Sequence, residues 1–210
     1  MKKIFTALIF TLLIASCSYA EFVELPAPNK TGGMPLNEAV TLRRTTREFT
    51  DATITQQELS DLLYVAAGVN RDNGLRVYPV GKGVHDIDVY VFNHEGIYKF
   101  DAPTHSLEVI AAGDYRQSTG KPTYAGRAAV NLVYVQDLKA WEGEGAPKER
   151  IEKWGFAHTG AIAQGAYLFA ASKGWNAVVR GTFENEKIRR LLNLTNKQTI
   201  TLVQSIGLRP

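Results

Sequence analysis

Residues 148–174 run KERIEKWGFAHTGAIAQGAYLFAASKG, and this stretch decides the fold. It reads as one long helix from Lys148 to Lys173, closed by Gly174. Its middle is unlike that of a surface helix, because Gly155, Ala157, Gly160, Ala161, Ala163, Gly165 and Ala166 stand where large apolar residues would be expected. A glycine inside a helix costs roughly 0.5–1 kcal/mol relative to alanine, so three of them need a compensating contact. Two settings supply one: a core helix packed closely beneath a sheet, or a helix at a subunit interface.

Outward from that helix lie short apolar runs that read as strands. Leu132-Val133-Tyr134-Val135 precedes it, and Ala177-Val178-Val179 and Ile200-Thr201-Leu202-Val203 follow it. Further upstream, Asp88–Phe92 and Ile97–Phe100 flank His94-Glu95-Gly96 and predict a hairpin. A short helix is expected over Asn37–Leu42. A second begins at Thr55, where a threonine followed three residues on by Glu58 reads as a capping box; it presents Leu59, Leu62, Leu63 and Ala66 on one face and stops at Gly68. Helices, a hairpin, then strand, helix, strand, helix and strand imply a layered α+β domain rather than a doubly wound parallel sheet.

The chain begins Met1-Lys2-Lys3, stays apolar from Ile4 to Ala15 apart from Thr6 and Thr11, and reaches small residues up to Ala20. Residues 1–20 are therefore expected to be a secretory signal peptide, too short an apolar run for a membrane-spanning helix. Two processing routes stay open. Ser18-Tyr19-Ala20 suits release after Ala20 into the periplasm, whereas Ile14-Ala15-Ser16-Cys17 resembles a lipoprotein box that would tether the protein through Cys17. That cysteine is the only one, so the folded part has no disulfide and no thiol nucleophile. Residues 21–35 read as a linker and 36–210 as one domain, a usual single-domain size. Without Lys2 and Lys3, the 24 basic residues become 22 against 21 acidic ones, which gives no basic surface for nucleic acid.

The densest cationic cluster is Arg43-Arg44-Thr45-Thr46-Arg47, just past the first helix. Guanidinium forks and hydroxyls at this density suit a phosphomonoester, although charge alone fits a solvated face equally well. The four histidines, His85, His94, His105 and His158, lack the paired spacing of a metal site, so each reads as a surface or hydrogen-bonded core residue. Tyr64, Tyr78, Tyr124 and Trp154 could line a cleft or simply pack. No nucleophile elbow, P-loop or dinucleotide fingerprint occurs.

Arg43-Arg44-Thr45-Thr46-Arg47-Glu48-Phe49 resembles the opening motif of the nitroreductase family. The helix ending in Gly68-Val69-Asn70-Arg71, the loop at Arg76-Val77-Tyr78-Pro79, the long helix from Thr159 to Gly174, Val179-Arg180-Gly181 and Gly207-Leu208-Arg209 follow in the family's order, covering Leu36 to Pro210. The resemblance implies a three-layer α+β fold with a mostly antiparallel central sheet flanked by helices, one of them long and central. It also implies a closely packed homodimer with FMN in each of two interface clefts. Arg43, Arg44, Thr45 and Arg47 would hold the phosphate and ribityl chain, and Arg209 would close on the phosphate. Arg180 and Gly181 would lie along the isoalloxazine, with Pro79, Val80, Gly81 and Lys82 beside the ring.

The chain departs from the family at that loop. Val80, Gly81, Lys82 and Gly83 replace the usual hydroxyl and asparagine side chains. Lys82 could bring its ammonium to the flavin edge or be a solvated loop lysine. The expected activity is transfer of electrons from a donor to a small organic acceptor, nitroaromatic or quinone-like. The donor would be NAD(P)H by resemblance, or a quinol or redox protein outside the cytoplasm. The alternative is a binding or scaffold protein on this fold with little flavin turnover.

Overall fold

The computed structural model describes residues 20–210; residues 1–19, which hold Cys17 and all but the last residue of the expected signal peptide, fall outside the described residues. Its centre is a seven-stranded sheet, with strands β1 Phe22–Glu24, β2 Ile87–Phe92, β3 Gly96–Asp101, β4 Ser106–Ala112, β5 Val130–Asp137, β6 Asn176–Arg180 and β7 Gln198–Gly207. They lie in the order β1-β4-β3-β2-β5-β7-β6, and every neighbouring pair is antiparallel. Helices α1 Leu36–Leu42 and α2 Gln56–Ala67 follow β1 in succession, strands β2 to β5 and the single-turn α3 Tyr124–Arg127 separate α2 from the long α4 Lys148–Ser172, and α5 Asn185–Leu191 links β6 to β7. One apolar core lies between α2, α4 and one face of the sheet and contains the fully buried Leu62, Leu63, Leu132 and Ile162. A second, on the other face, gathers Phe92, Val133 and Val203 beneath Ile188 and Leu192 of α5 and its end. The three layers expected from the sequence are thus present.

Local signals explain most of the boundaries. Thr55 Oγ1 accepts the Glu58 N–H at 3.2 Å, and Glu58 Oε2 accepts the Thr55 N–H at 2.8 Å, completing the capping box of α2. Gly174 adopts a left-handed φ of 71°, which turns the chain from α4 into β6. The α4 glycines answer to different neighbours. A Cβ on Gly155 would strike the Gln136 carboxamide, and one on Gly165 would lie 2.9 Å from the Val65 carbonyl of α2, whereas Gly160 faces open space. Two of the three are therefore required by packing within the chain.

The segment read as a linker is part of the fold. Phe22–Glu24 forms the outermost strand against β4, Leu25 is buried in the main core, and Asp61 of α2 accepts hydrogen bonds from both the backbone and the side chain of Asn29. Its proline content hid this, because three extended residues carry little periodicity while their pairing is supplied entirely by β4. Among the described residues no helix is long and apolar enough to cross a membrane.

Candidate functional site

The cationic motif is laid along the edge of the sheet. Thr46 N–H donates to Ala177 O of β6 at 2.9 Å, Asn176 Nδ2 donates to Glu48 O at 2.6 Å, and Thr50 N–H donates to Leu208 O at 3.1 Å. Phe49, 2 % exposed, anchors the run by packing on Ala128 and Val178. These bonds bring the motif and the C-terminal Leu208-Arg209 together although about 160 residues separate them in sequence. Arg44, Thr45, Arg47 and Arg209 are exposed. None of Arg43, Arg44, Arg47 and Arg209 forms an ion pair with any described residue.

Tyr167 of α4 organises this end. Its hydroxyl accepts the Val179 N–H at 2.7 Å and lies 3.0 Å from Thr45 Oγ1, while the Arg43 guanidinium stands over its ring at 5.4 Å. A cation above an aromatic face is attracted by the ring quadrupole, which orients Arg43 without neutralising it. Sequence reasoning missed Tyr167. The only available signal was its position on the core-facing stripe of the long helix.

Val80-Gly83 forms a second centre, fastened to the first half of α4. Gly81 N–H donates to His158 Nε2 at 2.9 Å, and the Gly81 Cα packs on the Trp154 indole, where a Cβ would come within 3.1 Å. Because a backbone amide can only donate, Nε2 is the acceptor and the ring proton sits on Nδ1, which faces Asp86 Oδ1 at 2.7 Å. Asp86 Oδ2 also accepts from Gln136 Nε2 at 2.7 Å and Trp141 Nε1 at 2.8 Å. Burial raises the pKa of this carboxyl, but hydrogen bonds from His158, Trp141 and Gln136 outweigh it and hold the group below the ordinary carboxylate range. The loop backbone is therefore tied through an imidazole to a buried anion. His158 is one of the scattered histidines; its role was invisible in sequence because its partners are 72 and 77 residues away.

Lys82 is neither at the motif nor free. Its ammonium is 3.2 Å from the Glu144 carboxylate, and its φ of 54° shows that the loop forces a non-glycine residue into the left-handed region. Pro79 is exposed, and Val80 leans on the main core.

Arg180, expected along a bound ring, is 8 % exposed and donates to Thr119 O at 2.6 Å, Thr119 Oγ1 at 2.8 Å and Asn131 Oδ1 at 3.2 Å. Strand side chains alternate between faces. Val179 packs towards the α4 core, so its neighbour Arg180 points through to the opposite side. Gly181 follows on the exposed side of the turn. Gly120 makes room for Arg180, since a Cβ there would strike the guanidinium. Among the described residues no group of three or more His, Cys, Asp or Glu could hold a metal ion.

Comparison with known proteins agrees with the fold. A protein of Methanocaldococcus jannaschii, provisionally named a nitroreductase, is 25% identical over 186 residues, covering 82% of this chain and 90% of that one. A crystal structure from Ralstonia eutropha, also provisionally described as a nitroreductase, superposes with a TM-score of 0.83 at 38% identity, covering 90% of each chain. The fold is shared at 18% identity with the NADPH:FMN oxidoreductase of Vibrio harveyi complexed with NAD+, at a TM-score of 0.61 over 83% of this chain and 68% of that one. The model of the Nitroreductase family matches residues 40–208, from α1 to the last residue but two, and the chain belongs to that family.

Proposed function

We propose that this protein is an exported FMN-dependent oxidoreductase that reduces a small organic acceptor, nitroaromatic or quinone-like. The observation that carries the reading is the convergence of Arg43 and Thr45 on Tyr167, with Leu208-Arg209 brought beside the same run. The residues fit FMN. Four guanidinium groups with no ion-pair partner among the described residues suit a phosphate monoester, and the buried Thr46 hydroxyl has no hydrogen-bond partner among them either. When bound, FMN supplies the two-electron chemistry, accepting hydride from a donor and passing it to the acceptor in ping-pong alternation. Arg43, Arg44, Arg47 and Arg209 would hold the phosphate, and the loop tied to His158 would flank the ring with backbone groups, since its side chains offer no neutral donor.

A homodimer completes the site in this reading. Tyr167 and His158 are nine residues apart on α4, about 2.5 turns, so the two centres lie on opposite flanks of the helix. One ligand reaching both draws its second centre from another copy. Phe156 on α4 and Leu36 and Val40 on α1 are 53%, 66% and 54% exposed, apolar side chains that suit contact with such a partner.

Export rests on Lys2-Lys3 and the apolar run after them, with release after Ala20 or lipidation at Cys17 as its two forms. Outside the cytoplasm nicotinamide nucleotides are scarce, so a quinol or redox protein is the donor we propose; rapid turnover of NADH or NADPH by the FMN-loaded protein would exclude that choice. The altered Val80–Gly83 loop favours a second reading, a binding protein on this fold. The absorption spectrum of the chain from Glu21 onward decides between them. A flavin spectrum near one equivalent per chain, lost in Arg43→Ala, supports the enzyme; a colourless protein that takes up no FMN refutes it.

A further inference from the structure

The groove beside the 79–83 loop holds a side chain that the reading above leaves unused. It encloses about 410 Å³, and its walls include Arg71, Arg76, Tyr78, Val80 and His85 but no acidic residue. A short hairpin after α2 presents the two arginines: Val69 pairs with Arg76, and Asn70 N–H donates to Leu75 O at 3.2 Å. Arg76 reaches only the Tyr78 hydroxyl, at 3.4 Å, and neither arginine has a carboxylate partner among the described residues.

His85 differs from the other three histidines. His158 is hydrogen-bonded at both nitrogens, His105 lies 2.7 Å from the Ser60 hydroxyl, and His94 sits beside Glu95. Both ring nitrogens of His85 are shielded from solvent, and neither has a partner among the described residues. The ring meets Tyr78 edge-on at 5.6 Å, which fixes its plane. Burial, the Arg76 charge and His158 lower its pKa, with Asp86 opposing, so at neutral pH the ring offers one donor and one acceptor. Buried hydrogen-bonding groups are rarely left unmatched, so a residue with two unmet positions in a groove marks where a ligand's polar atom belongs.

We infer that this groove is the acceptor subsite and takes a small aromatic carboxylate, its acid group on Arg71 and Arg76 and a second polar group, nitro or carbonyl, on His85. Val80 and Tyr78 supply the apolar and aromatic walls such a ring needs. The word acceptor rests on the flavin reading; the binding itself does not.

The test is calorimetric titration of the protein, with and without added FMN, using 4-nitrobenzoate against uncharged nitrobenzene, together with the 15N resonances of the His85 ring. The carboxylate is expected to bind at least tenfold more tightly than nitrobenzene, and Arg76→Met is expected to erase that difference. His85→Phe, which keeps the contact with Tyr78, should weaken both probes, with partial recovery in His85→Gln. 4-Nitrobenzoate should shift the His85 resonances. Equal affinity for the two probes, or unmoved resonances, overturns the subsite whatever the folding of the variants. If FMN is not taken up while the charge dependence and the resonance shifts persist, the flavin reading fails and the groove stands. If FMN binds but the carboxylate has no advantage, the groove fails and the flavin reading stands.

Discussion

His158 Nε2 accepts the backbone N–H of Gly81 at 2.9 Å, across 77 residues of sequence, and so ties the loop beside the candidate site to the middle of the longest helix. The bond works because the other ring nitrogen is occupied by Asp86, which selects the tautomer able to accept. His158→Leu removes a donor from a buried carboxylate and an acceptor from a backbone amide. A loss of about 1–3 kcal/mol in denaturant unfolding is expected. FMN affinity should fall with it, about tenfold for each ~1.4 kcal/mol of ordering lost from the loop. Unchanged stability would show that the bond is not formed in solution.

Asp86 gives the fold a pH dependence of known sign. Its carboxyl is held below the ordinary range in the folded state, so its contribution is complete above the unfolded value of about 3.9. That contribution is lost as pH falls through the lower folded value. Asp86→Asn should cost about 2 kcal/mol at pH 7, and its gap from the unsubstituted protein should narrow only below about pH 4. Urea midpoints measured across that range check the prediction. A gap that closes between pH 5 and 7 would contradict the assignment.

Tyr167→Phe deletes one oxygen and leaves the ring under Arg43. It releases Thr45 and strips the Val179 amide of its partner. The expected cost is about 1–2 kcal/mol, with weaker FMN binding and an unchanged near-ultraviolet spectrum for the rest of the core. Flavin titration and thermal unfolding together read both effects.

Arg180 should behave as a framework residue. Arg180→Met leaves the Thr119 carbonyl without its donor and Asn131 Oδ1 with only the Ser205 hydroxyl, at about 3 kcal/mol, because a buried hydrogen-bonded network loses its charged centre. The fraction that remains folded should still take up FMN with its original stoichiometry. Full stability combined with loss of flavin would place Arg180 at the ring after all.

Gly155→Ala tests the packing of α4 on the sheet. The new methyl meets the Gln136 carboxamide, whose Nε2 already donates to Asp86 and to Ile151 O. Overpacking of this kind costs about 1–3 kcal/mol. Gly160→Ala, facing open space, should instead be neutral or slightly stabilising in the isolated chain, and the contrast is readable from melting temperatures.

The sequence by itself determined the elements whose causes are local. The capping box at Thr55, the stop at Gly174, the hairpin over residues 88–100 and the long helix are each encoded within a few turns or one pleat. So is the dense run Arg43–Arg47, because charge density is countable along a chain. Only the tertiary structure decided what those elements touch. A strand's period of two fixes that Val179 and Arg180 point to opposite faces, but not which face α4 covers, and so the burial of Arg180 against Thr119 and Asn131 was not legible. Residues 22–24 became a strand because β4 offered them an edge. The links from Gly81 through His158 to Asp86, and from Thr45 to Tyr167, join residues 72 to 122 positions apart. Such links depend on strand order and helix rotation, which arise from packing distant segments on the two faces of one sheet and are written in no short stretch of the chain.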